Sequence, residues 1–135
     1  MNESGLNNNK NLFKDEIIEL FKREDMINKI TISRVNFSTN ISEFYFFQTF
    51  ILALQSVGIT AEVHNNILPS SGISDISNIK NERYITFIRG NEYLKVNFDT
   101  HELNNKLNSF NLLQKDMGMK ESTIALIDIF LSLLV

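Results

Sequence analysis

Apolar and polar positions follow two different periods along this chain, and each period predicts a type of element. Between residues 10 and 24, apolar side chains recur at the spacing of one helix face, which predicts a helix. Residues 27–37 are instead rich in β-branched side chains. Their alternation changes phase near Ser33, so we predict a strand that is buried on both faces or carries a bulge there.

The segment 41–57 is apolar around most of its circumference, which predicts a helix that must be covered on more than one side. Asn40 and Glu43 have the spacing of a capping box at its start, and Gly58 suits its end. Residues 59–64 then alternate between apolar and polar, which predicts a short half-buried strand. With the strand before the helix, this order predicts a right-handed crossover or half of a ferredoxin-like unit.

The clearest pattern predicts a β-hairpin of strands 83–89 and 92–98 around the two-residue turn Gly90-Asn91. A turn of this length fixes the register, and the resulting pairs match apolar with apolar and basic with acidic. The pairs are Ile85 with Val96, Phe87 with Leu94, Tyr84 with Asn97, Thr86 with Lys95, Ile88 with Tyr93, and Arg89 with Glu92.

Two helices, 100–116 and 121–134, complete the predicted elements. Asp99 and Glu102 form a second capping-box pattern ahead of the first of them. The last helix is almost wholly apolar and too short to span a bilayer. We expect it in the core, and we leave open a homodimer that packs through it.

These elements predict one α+β domain over residues 1–135, in which residues 1–9 form a flexible tail. We expect a small mixed sheet of about four strands, packed by helices 41–57, 100–116 and 121–134. The segment 65–81 is long for a connection in a compact domain, so it is either a binding loop or a flexible connector.

Composition excludes several functions. With no cysteine, the chain has no disulfide scaffold, thiolate metal site or cysteine nucleophile. A net charge of −3 gives no basic surface for nucleic acid and no polybasic membrane signal. Residues 44–61 lack charge, but glutamines and Gly58 interrupt them, so we predict a soluble helix and no membrane partner. The first residues do not have the pattern of a secretory signal, and the Asn and Ile bias suggests a bacterial or phage protein of the cytoplasm.

Few residues have the spacing of a catalytic site. Glu62 and His64 share one strand face and could act as acid, base or metal ligands, but an exposed strand face beside a loop is the interpretation that we favour. Glu92 and Lys95 are three apart and point to opposite faces, so they do not form a nuclease motif. We therefore expect no cofactor and no metal.

Small size, acidic charge and the lack of catalytic motifs favour a non-catalytic protein-binding module. We expect a stoichiometric inhibitor, such as an immunity protein or antitoxin, that neutralises a basic, nuclease-like partner. The candidate partner-binding residues are Asp75, Glu82, Tyr84 and Tyr93. The alternative is a small metal-dependent hydrolase or nuclease that uses Glu62, His64 and Asp75.

Overall fold

Five helices and one antiparallel sheet make up the α+β fold in the residues that the computed structural model describes, 12–35, 40–66 and 82–135. The elements are α1 (12–20), α2 (Glu24–Val35), α3 (Glu43–Gln55), β1 (Thr60–Asn66), β2 (Glu82–Arg89), β3 (Glu92–Phe98), α4 (Thr100–Leu113) and α5 (Met119–Leu134). A one-turn 3-10 helix, Gln114–Asp116, connects α4 to α5. The predicted α+β class is confirmed, while the predicted tail, 1–9, lies outside the described residues.

The strand predicted at residues 27–37 is wrong, because the chain forms helix α2 as far as Val35. Met26, Ile27 and Ile30 are buried at helical spacing, and α2 packs against both α3 and α5. β-branched residues disfavour a helix by only a few tenths of a kcal/mol each, roughly, so burial of this face outweighs local propensity.

The sheet therefore differs from the predicted one. It has three strands in the described residues instead of about four, in the order β1-β2-β3. Both pairings are antiparallel, so the sheet is not mixed and the predicted crossover is absent from this part of the chain. The hairpin prediction is confirmed in every pair, from Ile85 opposite Val96 to Arg89 opposite Glu92. Gly90 has a φ of +60°, which suits a primed turn and which most side chains avoid.

The helix ends show which of the predicted caps form. α3 is capped by Ser42, whose hydroxyl accepts from the Tyr45 amide at 3.4 Å, and not by Asn40 as predicted. Gly58 ends the helix at a φ of +84°, and the amides of Gly58 and Ile59 donate to carbonyls of the last turn at 3.1 and 3.0 Å. α4 is capped as predicted by Asp99, whose carboxylate accepts from the amides of His101 and Glu102 at 2.8 and 3.2 Å.

α3 and α5 pack on the sheet, α2 and α4 pack on these two helices, and an aromatic cluster fills the space between them. Phe130 of α5 stands at its centre, with its ring stacked on Phe50 at 4.3 Å and packed against Phe21 at 5.1 Å. Phe87 brings the sheet into the same cluster, at 6.1 Å from Phe130. α5 is thus a core helix. In the described ranges, no helix combines the length and apolarity needed to cross a membrane.

Leu94 provides a test of the hairpin register. It packs against Phe87 from the margin of the core and is only partly buried. We therefore expect Leu94→Ala to destabilise the fold by about 2 kcal/mol, at the low end for a leucine truncation. Tyr93→Ala, one residue away but on the opposite and exposed face, should cost less than about 0.5 kcal/mol. Urea unfolding of both variants measures the difference, and equal losses would contradict the inward placement of Leu94.

Candidate functional site

The side of the sheet that faces away from the helices carries the polar half of each strand pattern. We call it the outer face, and it consists of three cross-strand rows: Thr60, Ile88 and Tyr93; Glu62, Thr86 and Lys95; His64, Tyr84 and Asn97. Both edge strands present exposed side chains here, and the Tyr93 ring is 52% exposed. The outer face is thus open to solvent along its two edge strands, while Thr86 at its centre is buried.

Tyr84 is the centre of the contacts on the outer face. The His64 ring stacks on the Tyr84 ring with centroids 4.6 Å apart and an angle of 17° between planes. The Lys95 ammonium lies over the same ring, 4.3 Å from its centroid. A cation over an aromatic face is attracted by the ring's quadrupole, so Lys95 and Tyr84 hold each other in place. The outer face therefore presents an ordered aromatic and charged surface.

Glu62 extends this group toward the other end of β1. Its carboxylate lies 3.6 Å from His64 Nε2, so the two side chains form an ion pair when the imidazole is protonated. Both are partly exposed, with 57% and 37% of their side chains accessible, so solvent screens the attraction. The contact orients His64 over Tyr84 and contributes little to stability.

The structure describes the side chains of only two of the four predicted binding residues. Tyr84 and Tyr93 lie on the same outer face, as the alternation predicts. Glu82 begins β2, but its side chain is outside the described set, and Asp75 lies outside the described residues altogether. Their part in a binding surface stays a prediction.

Sequence reasoning missed the stack of His64 on Tyr84 and the placement of Lys95 over the same ring. The contact of Lys95 with Tyr84 could have been predicted, because the hairpin register puts Lys95 diagonally across from Tyr84. The stack of His64 on Tyr84 could not, because it depends on the pairing of β1 with β2. These strands are separated by residues 67–81, and a connection of that length does not set a register.

Metal binding has limited support on this surface. Glu62 and His64 supply two ligands, and a protein site for zinc takes at least three. Throughout the described ranges, no group of three or more His, Asp or Glu side chains is placed to hold a metal ion. Asp75, the third residue of the predicted hydrolase site, lies outside those ranges.

The arginines of β2 are engaged with helices on the inner face and do not belong to this site. Arg83 forms an ion pair with Glu43 at the start of α3. Arg89 pairs with Glu16 of α1 and with Glu92 across the turn. Hydrogen bonds to Glu16 and then to Glu92 raise the pKa of Arg89 above its usual range. These pairs attach the sheet to α1 and α3.

A second polar cluster lies where α2, α4 and α5 meet. The Arg34 side chain is buried there, and its guanidinium donates to the hydroxyls of Ser122 and Thr123 at 2.7 and 2.9 Å and to Gln114 Oε1 at 2.9 Å. Burial lowers the pKa of Arg34, because the charged form loses contact with water. Since these partners are interior groups of the fold, we interpret the cluster as structural.

Comparison with known proteins adds no relative: no family model, no curated protein and no solved structure matches this chain. Function is therefore inferred from the chemistry of the described surface.

Proposed function

We propose that this protein is a non-catalytic binding module that engages another protein through its outer face. The observation that supports this most is the ordered group of Tyr84, His64 and Lys95 beside the half-exposed ring of Tyr93. Tyrosine is enriched at the centres of protein interfaces, because its rigid ring buries a large area at little entropic cost and its hydroxyl still finds a partner.

The activity that fits such a module is stoichiometric inhibition of a basic, nuclease-like partner, as an immunity protein or antitoxin carries out in the bacterial cytoplasm. A net charge of −3 attracts a basic protein at long range. The outer face itself carries one described acid, Glu62, against Lys95. Additional acidic steering would come from Asp75 and Glu82, which are close to this face in sequence.

The test uses the purified product of the neighbouring gene as the probe. We expect binding at a 1:1 ratio that abolishes the activity of that protein. In surface plasmon resonance, Tyr93→Ala should speed dissociation by roughly thirtyfold, the equivalent of a 2 kcal/mol hot spot. Asp75→Lys should slow association at low salt and have little effect at high salt, because a rim charge acts mainly through long-range attraction.

The matched control is Leu112→Ala, which truncates a side chain that is 70% exposed on α4, far from the sheet face in sequence. It should bind like the wild type. Salt-independent association together with wild-type binding by Tyr93→Ala would contradict the proposal at this surface.

A second candidate is a small metal-dependent hydrolase or nuclease that uses Glu62, His64 and Asp75. The observation that favours it is the 3.6 Å approach of the Glu62 carboxylate to His64. Turnover of nucleic acid or ester substrates with added Mg²⁺, Mn²⁺ or Zn²⁺, lost in both Glu62→Gln and His64→Ala, would support it. Activity that survives both changes would exclude this pair as its site.

A further inference from the structure

Strand β3 forms one edge of the sheet, and its outward backbone groups have no partner in the described part of the chain. In a two-residue hairpin the residues beside the turn, Arg89 and Glu92, exchange hydrogen bonds, and bonded and unbonded pairs then alternate along the strands. The N–H and C=O groups of Tyr93, Lys95 and Asn97 therefore point away from β2. Within the described ranges these groups form no backbone hydrogen bond. We call these three residues the β3 edge.

The β3 edge is open to solvent, unlike the opposite edge of the sheet. All three of its residues are exposed, with Tyr93 at 52%. On β1 the outward groups alternate in the same way, and one of the residues that carry them, Ala61, is only 4% exposed. An exposed strand edge fits one kind of occupant, an extended backbone whose N–H and C=O groups match its own. The geometry of β3 is thus specific for an added strand.

Lys95 gives the β3 edge a preference for charge. Its ammonium contacts the Tyr84 ring and forms no ion pair with a carboxylate of the described residues. The acid of the same cross-strand row, Glu62, lies two strands away. A second copy of this chain is disfavoured, because the antiparallel register that pairs the whole β3 edge sets Lys95 directly against Lys95. A strand of another protein with an acidic residue at this position is attracted instead.

The inner side of an added strand would meet apolar side chains. Leu94 is only partly buried, at the margin of the core, and Val96 is 9% exposed. Because the side chains of a strand alternate between its two faces, the residues on either side of the acid would lie beside Leu94 and Val96. Apolar residues at these two positions would complete the cover of Leu94.

We propose that the β3 edge binds an extended segment of another protein, which adds antiparallel to β3 and carries an acidic residue between two apolar ones. The acid faces Lys95 on the outer side, and the apolar residues face Leu94 and Val96 on the inner side. Main-chain hydrogen bonds provide the affinity, and the alternation provides the specificity. This inference goes beyond the proposed inhibition and does not rest on it, because it requires neither a basic partner nor a toxin.

The probe is a capped synthetic peptide in which glutamate lies between two valines, with threonines on both sides. We expect it to bind the full chain with a dissociation constant on the order of 100 µM, since a short strand makes few side-chain contacts. In two-dimensional amide NMR spectra, the largest shift changes should fall on the β3 edge. The amide hydrogens of these residues should exchange rapidly with solvent in the free protein and more slowly with the peptide bound.

Methylation of single backbone nitrogens of the peptide tests the strand pairing. The glutamate N–H points toward β3 and donates to the Lys95 carbonyl, so N-methylglutamate should weaken binding at least about tenfold. The N–H groups of the two valines point away from β3, so methylation of the first of them should change the affinity less than about threefold. The two peptides are matched, because they differ only in the position of one methyl group.

A change of charge tests the role of Lys95. Lys95→Glu should weaken binding of the glutamate peptide at least about fivefold and should favour a peptide with lysine in place of the glutamate. The side chain is exposed, so the variant should fold, which circular dichroism checks. Lys115→Glu is the matched control, because it makes the same change of net charge at an exposed lysine of the 3-10 helix. It should bind the glutamate peptide like the wild type.

Absence of binding at about 2 mM peptide, far above the expected dissociation constant, would overturn the proposal. So would equal binding of the N-methylglutamate peptide, unchanged affinity in Lys95→Glu, or shift changes confined to β1. Protection of the β3 edge in the free monomer would show that another segment of the same chain occupies it, and protection that rises with protein concentration would show a second copy. Either result would also overturn the proposal. These measurements do not involve the neighbouring gene product, so the two proposals fail separately.

Discussion

Phe130→Ala is expected to reduce the free energy of unfolding by about 3–5 kcal/mol. The side chain is 0% exposed, and its ring contacts two rings of α3, one of β2 and the Phe21 ring in the turn after α1. The stacked contact with Phe50, at 4.3 Å, is the closest of them. Truncation removes the transfer free energy of the ring and leaves a cavity that several helices would have to move to fill.

Because the free energy of unfolding of domains of this size is roughly 5–15 kcal/mol, this loss would leave the variant with little or no net stability at 37 °C. Urea denaturation monitored by circular dichroism measures the change in the free energy of unfolding. Phe130→Leu keeps most of the apolar volume and should lose less than half as much. A loss below about 1 kcal/mol for the alanine variant would show that the cluster repacks around the vacancy.

Arg34→Ala is the second change with a large expected effect, about 2–4 kcal/mol of lost stability. The side chain is only 6% exposed, and its partners in the described structure are neutral: two hydroxyls, an amide oxygen and the Met119 carbonyl. Desolvation of the cation opposes folding, whereas these hydrogen bonds and a 5.4 Å contact with the Phe110 ring favour it.

We expect the hydrogen bonds to prevail, for two reasons. Arg34 lies in the last turn of α2 and beside residues at the end of α4, where helix dipoles favour a positive charge, and these two helix ends outnumber the opposing start of α5. Its removal also leaves Gln114 Oε1 without this donor and opens a cavity between three helices.

Two further variants identify the cause of the loss. Arg34→Met fills part of the cavity without the charge, so a loss below about 1 kcal/mol would show that desolvation cancels the hydrogen bonds. Arg23→Ala is the surface control, since its ion pair with Asp25 is more than half exposed and solvent screens it, so its loss should have little effect on stability. All three variants can be compared by the same urea titration.

The sequence pattern predicted correctly those features of the fold that depend on interactions between residues close together in the chain. The hairpin register follows from the two-residue turn at Gly90 and the alternation beside it, and all of its pairs are observed. Asp99 caps α4 and Gly58 ends α3 for equally local reasons, an oxygen next to free amides and a backbone conformation with positive φ. The same alternation placed Tyr84 and Tyr93 together on the outer face.

Features that depend on contacts between residues far apart in the chain could be determined only from the tertiary structure. Residues 24–35 became a helix because α3 and α5 cover its apolar face, which outweighs the strand preference of its isoleucines and threonines. The pairing of β1 with β2, which stacks His64 on Tyr84, depends on strands separated by a long connection. The exposure of Phe44 and Leu52 was likewise decided by packing, because a helix that is apolar all round does not specify which side its own domain will cover.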